Sequence, residues 1–362
     1  MLKPYKIHFD EYESINLCEQ VNNSRWNHNY ANGDWELGTP ADALRDVLKY
    51  WTSDYCWGKK EEELNRYPQY ISDVNGVEIH FIHLKSAEKD APTVLMCHGW
   101  PDSFLRYTKT FPLLRDYNLV VPSMPGFAFS SLPDKGFLNN SEVADLWHIL
   151  MTEILGYKSH FATGGDMGRR VSCYLACHYP EEVKGLFLTD VGFAKGLMES
   201  PEYSLTTDEL EYKKAAIKWM QTEGAYINKS TKPLSLGYGL GASPVGMAGW
   251  LLEKFHDWSD WERFRMDDLC DSLTLYWMCD CAATSIRMYH GNTFTLPPIG
   301  KISQPIGIAQ FPKDILPVPK TWIERNYNLV QYSEMPYGGH FTTMEAPVPF
   351  TEALSEFVAM LV

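Results

Sequence analysis

The chain has 362 residues, of which 45% are hydrophobic and 22% are charged. This length and composition are typical of a globular protein with one large core and an inserted or appended subdomain. The net charge of -14 would repel nucleic acid and anionic lipid surfaces, and no dense cluster of Lys and Arg offsets it, so we expect neither as a partner. Because no signal core and no run of about 18 apolar residues is present, we expect a cytoplasmic protein without a membrane anchor.

The eight cysteines show no paired spacing of the kind that indicates a disulfide framework. Cys173 and Cys177 with His178, or Cys279 with Cys281, are the nearest approach to a metal site, but neither group has a second pair of ligands at zinc-site spacing. We therefore expect reduced thiols, no metal and no organic cofactor.

Residues 1–90 are predicted to form a structured N-terminal extension. A helix is indicated over about 42–51, and residues 77–81 alternate in the manner of a strand. The segment is also rich in tryptophan, at Trp26, Trp35, Trp51 and Trp57.

From about residue 90, short apolar runs alternate with helical stretches, which is the pattern of a parallel sheet wrapped by helices. Apolar residues recur at helical spacing after Ser141, which we interpret as the N-cap of one such helix. We expect this α/β core to occupy residues 91–191 and 302–362, with strands at 93–97, 118–121, 160–163, 183–188, 305–309 and 329–332.

Residues 192–301 interrupt this alternation. The segment is rich in Trp, Tyr and Met, and its glycines and prolines cluster at 237–246. We interpret it as a helical cap inserted into the core.

A strand, a turn of small residues and a helix follow one another around Asp166, in the run Gly-Gly-Asp-Met-Gly at 164–168. In a nucleophile elbow, small flanking residues allow a strained turn that lifts one side chain above the sheet. The alternative is that Asp166 only caps a helix that begins at Gly168. From the spacing alone, both interpretations stay open.

A carboxylate at the elbow indicates a particular class of reaction. A serine that attacked a saturated carbon would form an ether that water cannot release, whereas a carboxylate forms an ester whose carbonyl can be hydrolysed afterwards. Asp166 in this position therefore predicts displacement at an sp³ carbon.

Two other motifs fit such an elbow. A His-Gly-Trp-Pro loop at 98–101 follows an apolar strand, and its Trp100 N–H can form an oxyanion hole with the N–H of Met167. His340, in Gly-Gly-His-Phe at 338–341, follows the last strand, where this fold presents its base.

The third member of a triad must orient the imidazole and offset its developing charge. Asp314 follows the penultimate predicted strand and is our first choice, with Glu324 as the fallback. The order Asp166, Asp314, His340 is that of the α/β-hydrolases.

With these residues assembled, the sequence resembles the microsomal-type epoxide hydrolases and their soluble relatives from end to end. The resemblance rests on the motifs above, on Pro-Ser-Met-Pro-Gly-Phe at 122–127 and on segments of the extension around Trp51, Trp57, 61–65 and 76–81. It implies an α/β-hydrolase fold with a helical cap and an N-terminal extension. It also implies that Tyr226 and Tyr289 are the paired cap tyrosines that bind the epoxide oxygen and donate a proton to it.

The sequence departs from the family pattern at three places. Met167 stands where many relatives have Trp, Arg169 stands where a small residue is common, and Thr189 with Asp190 replaces a stretch where Asn is expected. Arg169 either lies beside Asp166 and lowers its pKa or points outward.

The expected function is hydrolysis of an epoxide to a vicinal diol through an alkyl ester on Asp166. An epoxide-opening cyclase of secondary metabolism would share these motifs. A haloalkane or haloacid dehalogenase would share the elbow but usually has Trp in place of Met167 and lacks the cap tyrosines. A serine esterase is disfavoured because no Gly-x-Ser-x-Gly is present, and a non-catalytic binding protein is disfavoured because the catalytic set is complete.

The aromatic cap favours a small apolar epoxide, with water as the second substrate. A role in detoxification or secondary metabolism fits such a substrate, and a homodimer is compatible with the sequence.

Overall fold

The computed structural model describes residues 2–25 and 33–362, and Trp26 lies outside these ranges. Within the described residues, nine strands form one sheet in the order β1-β2-β3-β5-β4-β6-β7-β8-β9. The strands are β1 Lys3–Tyr5, β2 Gln69–Val74, β3 Val77–Leu84, β4 Thr93–Cys97, β5 Asn118–Pro122, β6 His160–Gly164, β7 Val183–Leu188, β8 Ile306–Gln310 and β9 Leu329–Glu334.

The sheet is mostly parallel, as expected for an α/β core. Strands β4 to β9 pair in parallel, whereas β1, β2 and β3 add an antiparallel edge against β5. Every residue of β4 and β6 is buried, because helices cover both faces of a parallel sheet. The predicted core strands match these bounds to within one or two residues at each end.

The α-helices of the described residues surround the sheet and build the cap. They are α1 Glu11–Asn22, α2 Ala41–Ser53, α3 Trp57–Leu64, α4 Asn140–Ile149, α5 Asp166–His178, α6 Lys195–Glu199, α7 Thr207–Thr222, α8 Gly224–Thr231, α9 Pro233–Ala242, α10 Pro244–Asp257, α11 Met266–Met278, α12 Cys281–Thr284, α13 Arg287–Phe294, α14 Lys320–Asn326, α15 Thr342–Glu345 and α16 Pro347–Ala359. Helices α6 to α13 lie between β7 and β8, in the segment where the sequence predicted the insertion.

The predicted N-cap of α4 is wrong. Asn139 caps this helix, because its side chain accepts the N–H of Glu142 while the Glu142 carboxylate accepts the N–H of Asn139. This reciprocal pair satisfies two N–H groups at the helix start. Ser141 therefore lies inside the first turn.

The N-terminal extension packs against the cap as well as the sheet edge. Trp51 donates from Nε1 to Thr274 Oγ1 at 2.7 Å, and the hydroxyl of Tyr55 donates to Asp271 at 2.8 Å. Lys60 forms an ion pair with the same Asp271 at 3.0 Å. The extension therefore holds α11, the helix that carries Asp271, against the body of the molecule.

No helix among the described residues is both long enough and apolar enough to cross a membrane. Within the same residues, no group of three or more His, Cys, Asp and Glu side chains is arranged to hold a metal ion. All eight cysteines are free.

Helix α5 begins in direct contact with the end of β4, and only glycine fits at the point of closest approach. A Cβ on Gly168 would lie 2.0 Å from the carbonyl oxygen of Cys97 and 2.6 Å from that of His98. Since both atoms belong to the backbone, neither moves easily, and Gly168 sets the distance between helix and strand.

We therefore expect Gly168→Ala to destabilise the protein by about 1–3 kcal/mol or more, because overpacking displaces backbone in a dense core. Urea or thermal unfolding measures the loss. Gly224→Ala is the matched control, since nothing lies within 4 Å of the added Cβ there. Equal stability of the two variants would contradict the prediction.

Candidate active site

Asp166 occupies a strained turn between β6 and α5. Its φ is +54°, a left-handed conformation that is uncommon for a residue with a side chain. A Cβ on Gly99 would lie 2.6 Å from the Asp166 Cβ, so the loop after β4 approaches Asp166 through a glycine. The geometry is that of an elbow, and Asp166 lies in the first turn of α5 instead of preceding a helix that begins at Gly168.

The Asp166 carboxylate is ionised and faces hydrogen-bond donors. The N–H of Trp100 donates to Oδ1 at 3.0 Å, and His340 Nε2 lies 3.7 Å from Oδ2. Burial alone would raise the pKa of Asp166, but the charge of His340 and the N–H groups of Met167 and Trp100 outweigh burial and hold that pKa well below its usual range.

His340 and Asp314 form a buried ion pair behind Asp166. The Nδ1 of His340 lies 2.8 Å from Asp314 Oδ1, and both side chains are only 6% exposed. Burial alone would lower the pKa of His340, but the negative charges of Asp314 and Asp166 raise it to about 10. The fallback, Glu324, lies elsewhere on the exposed surface of α14 and pairs with Lys320.

Asp190 is a site residue whose role the sequence did not reveal. It follows β7, accepts the backbone N–H of Asp166 on Oδ2 at 2.6 Å and pairs through Oδ1 with Arg169 Nε at 3.2 Å. Arg169 is therefore buried beside the elbow and neutralises Asp190. The available signal was position, because acidic side chains at the carboxyl ends of neighbouring parallel strands meet at one edge of the sheet.

Arg106 was also missed. It is 1% exposed, pairs with Asp102 at 2.9 Å and donates to the backbone carbonyl of His340. The backbone N–H of His340 donates to the carbonyl of Trp258 at 2.8 Å. The His340 loop is thus fixed by the loop after β4 on one side and by the cap on the other.

Tyr226 and Tyr289 lie together in the cap. Their ring centroids are 5.6 Å apart at 83°, and the Tyr289 ring contacts the Trp100 ring edge-on at 5.7 Å. Tyr289 is 7% exposed, whereas Tyr226 is 43% exposed. Burial, followed by the charge of Asp166, raises the pKa of Tyr289 well above its ordinary value. The Tyr289 phenol is therefore neutral beside the elbow loop.

Comparison with known proteins agrees with this geometry. Residues 2–107 match the family model described as epoxide hydrolase N terminus, and residues 92–240 match the model described as alpha/beta hydrolase fold. Epoxide hydrolase 1 of Oryctolagus cuniculus is 30% identical over 99% of this chain and 89% of its own length.

Two solved structures share the architecture. The Aspergillus niger epoxide hydrolase has a TM-score of 0.91 and 28% identity, covering 100% of this chain and 97% of that one. The juvenile hormone epoxide hydrolase of the silkworm Bombyx mori has a TM-score of 0.85 and 26% identity, covering 100% and 94%.

The mostly parallel sheet, the elbow and the cap define an α/β-hydrolase, which confirms the fold that the sequence predicted. The chain belongs to the epoxide hydrolase family and is an epoxide hydrolase enzyme.

The ion pair of His340 and Asp314 makes stability depend on pH. The pKa of His340 is about 10 in the folded protein against 6.5 for the free side chain. The resulting stabilisation is complete below pH 6.5 and is lost as the pH rises through about 10. Asp314→Asn keeps the size of the side chain and removes its charge, so we expect a lower His340 pKa and a smaller loss of stability on the alkaline side.

NMR titration of the imidazole and urea unfolding at about pH 6 and about pH 9 measure the two effects. Glu324→Gln is the control, because that acid is exposed and pairs with Lys320. An unchanged His340 pKa in Asp314→Asn would contradict the prediction.

Proposed function

We propose that this enzyme converts an epoxide to a vicinal diol through a covalent ester on Asp166. The observation that carries the proposal is the ionised Asp166 carboxylate, which faces the N–H of Trp100 on one oxygen and His340 on the other. Asp314 orients His340 from behind. This arrangement supplies a nucleophile, an oxyanion hole and a base within one elbow.

In the first step, an Asp166 oxygen bonds to one epoxide carbon while the bond from that carbon to oxygen breaks. The oxygen becomes an alkoxide and takes a proton from Tyr226 or Tyr289. The donor must be a neutral phenol, because a phenolate has no proton to give to the alkoxide. The raised pKa of Tyr289 keeps it in the neutral form that donates.

In the second step, His340 takes a proton from water, and the water oxygen attacks the ester carbonyl. The N–H groups of Trp100 and Met167 stabilise the oxyanion. In the free enzyme the same two N–H groups donate to the Asp166 carboxylate. Collapse of the intermediate expels the diol oxygen with the proton that His340 carries. The regenerated Asp166 carboxylic acid then gives its proton to the tyrosine phenolate left by the first step. The net reaction consumes one water.

Formation of the ester also prepares His340 for its role. In the free enzyme the charges of Asp314 and Asp166 raise the His340 pKa to about 10, so the imidazole is protonated. Alkylation removes the charge of Asp166, and burial then lowers the His340 pKa with only Asp314 opposing it. The imidazole then releases its proton to bulk water and becomes a base for ester hydrolysis, and it takes a proton up again when the Asp166 carboxylate is regenerated.

The direct test is mass spectrometry of His340→Gln after incubation with styrene oxide. We expect an adduct on Asp166, because alkylation proceeds and hydrolysis is blocked. Asp166→Asn is the control and acquires none. An unmodified Asp166 in a folded variant that is alkylated elsewhere would overturn the proposal.

The product of the wild-type reaction separates a hydrolase, which yields a diol, from a cyclase, which yields a cyclic ether.

Removal of a single phenol tests the proton donor. Tyr289→Phe should slow adduct formation by about 100-fold, since general acid catalysis contributes that order of rate. Rapid-quench measurement of the alkylation step gives the rate. Tyr238→Phe is the matched control, because Tyr238 is a cap tyrosine that is 77% exposed. Equal alkylation rates in both variants would show that Tyr289 donates no proton.

A further inference from the structure

Lys229 is buried in the cap beside the residues of the proposed reaction. It lies on α8, one helical turn after Tyr226, and is 1% exposed. Its Nζ lies 3.3 Å from the centroid of the Trp100 ring and 4.1 Å from that of Tyr289. The amino group thus lies between Trp100, whose N–H binds Asp166, and Tyr289 of the cap. It has no role in the mechanism proposed above.

Lys229 has no carboxylate partner among residues 2–25 and 33–362. Lys254 provides the contrast, because it is also buried and also lies near the Trp258 ring, at 5.3 Å. Lys254 Nζ pairs with Glu253 at 2.6 Å and with Glu223 at 3.3 Å. The cap therefore neutralises one of its two buried lysines and leaves the other unpaired.

An unpaired buried ammonium is unfavourable. Burial, followed by the charge of Lys254, lowers the pKa of Lys229 well below its ordinary value, against weaker opposing effects of Asp166, Glu223 and Glu253. Aromatic faces attract a cation but offer no strong acceptor for three N–H donors. Buried polar groups are normally satisfied, and the described residues supply no acceptor for the Lys229 amine.

A second basic side chain without a carboxylate partner lies next to the elbow. Arg170 is half-buried next to the elbow, and it interacts electrostatically with Tyr226 and with Asp166. Within the described part of the chain, Arg170 forms no ion pair with a carboxylate. Two basic side chains, Lys229 and Arg170, thus lack a carboxylate partner among the described residues, in a protein with a net charge of -14.

We propose that Lys229 is the counter-ion of a carboxylate on the substrate, so that the pocket prefers epoxides with an anionic group near the ring over neutral epoxides. The inference rests on the proposed function and names its substrate class. It differs from the apolar epoxide that the composition of the cap favours. The negative net charge acts at long range and is screened by salt, whereas Lys229 acts at contact distance.

Binding of such a substrate requires a proton. The substrate carboxylate is the hydrogen-bond acceptor that Lys229 lacks in the cap. The Lys229 amine takes up a proton from solvent and becomes an ammonium when this anion binds. The groups that face Lys229 from the cap and the elbow are Lys254, Glu223, Glu253, Tyr289 and Asp166. Any of these titratable groups could in principle take up a proton when substrate binds. Proton uptake is therefore assigned to Lys229 only if it disappears when Lys229 is replaced.

The test compares 3-phenylglycidate with its neutral amide, 3-phenylglycidamide, which has nearly the same shape. The measured quantity is the ratio of kcat/KM for the acid to kcat/KM for the amide, so the intrinsic reactivities cancel between enzymes. We expect Lys229→Met to lower this ratio by about 10- to 100-fold, the value of a hydrogen bond between charged groups. Lys229→Arg keeps the charge and should keep most of the preference.

Lys232→Met is the matched control, because it removes a positive charge from the exposed end of α8, and the ratio should stay unchanged. A second readout needs no turnover. In Asp166→Asn, calorimetry of 3-phenylglycidate binding in two buffers should show proton uptake, and the additional change Lys229→Met should abolish it.

The outcomes separate the two proposals. If Lys229→Met lowers kcat/KM for both substrates equally, so that the ratio is unchanged, the proposed substrate class is wrong while the proposed function stands. If His340→Gln acquires no adduct on Asp166 with styrene oxide or with either of these substrates, the proposed function fails. The binding measurement in Asp166→Asn then still decides whether Lys229 pairs with a carboxylate.

Discussion

The active site depends on the contact between the start of α5 and the end of β4. Gly168 allows the helix to meet the backbone carbonyls of Cys97 and His98, and Gly99 allows the returning loop to reach Asp166. Because both approaches are closer than any side chain permits, the Trp100 N–H comes within hydrogen-bond distance of the Asp166 carboxylate. Rigid placement of this kind is what electrostatic stabilisation of an oxyanion requires.

Charge is distributed around this contact in three buried pairs. Asp102 pairs with Arg106, Asp190 with Arg169 and Asp314 with His340. Each pair touches the backbone or side chain of a residue in the proposed reaction. Removing one member of such a pair leaves a buried charge unpaired, which is strongly destabilising. The acidic protein thus places its cations where they hold the proposed nucleophile and base in position.

The sequence predicted the fold and the central residues because local patterns encode them. Apolar runs marked the strands of the core, and small residues around Asp166 marked the elbow. Position after a strand favoured Asp314 over Glu324, and the structure brings only Asp314 to His340. Arg106 and Lys229 were not foreseen, because their importance comes from partners more than 100 residues away, or from the lack of a partner. Neither property is visible in a local pattern. The domain boundaries and the roles of the site residues stay predictions.

The N-terminal extension has a consequence for how substrate reaches the site. Hydrogen bonds from Trp51 and Tyr55 fasten α11, and α1 and α2 also pack on α10. That half of the cap is tied to the body, whereas α8 packs chiefly on α9 and α13. Opening of the cap as one rigid lid would break the tethered contacts. Substrate entry on the side of α8, the helix that carries Tyr226 and Lys229, would leave these tethers intact.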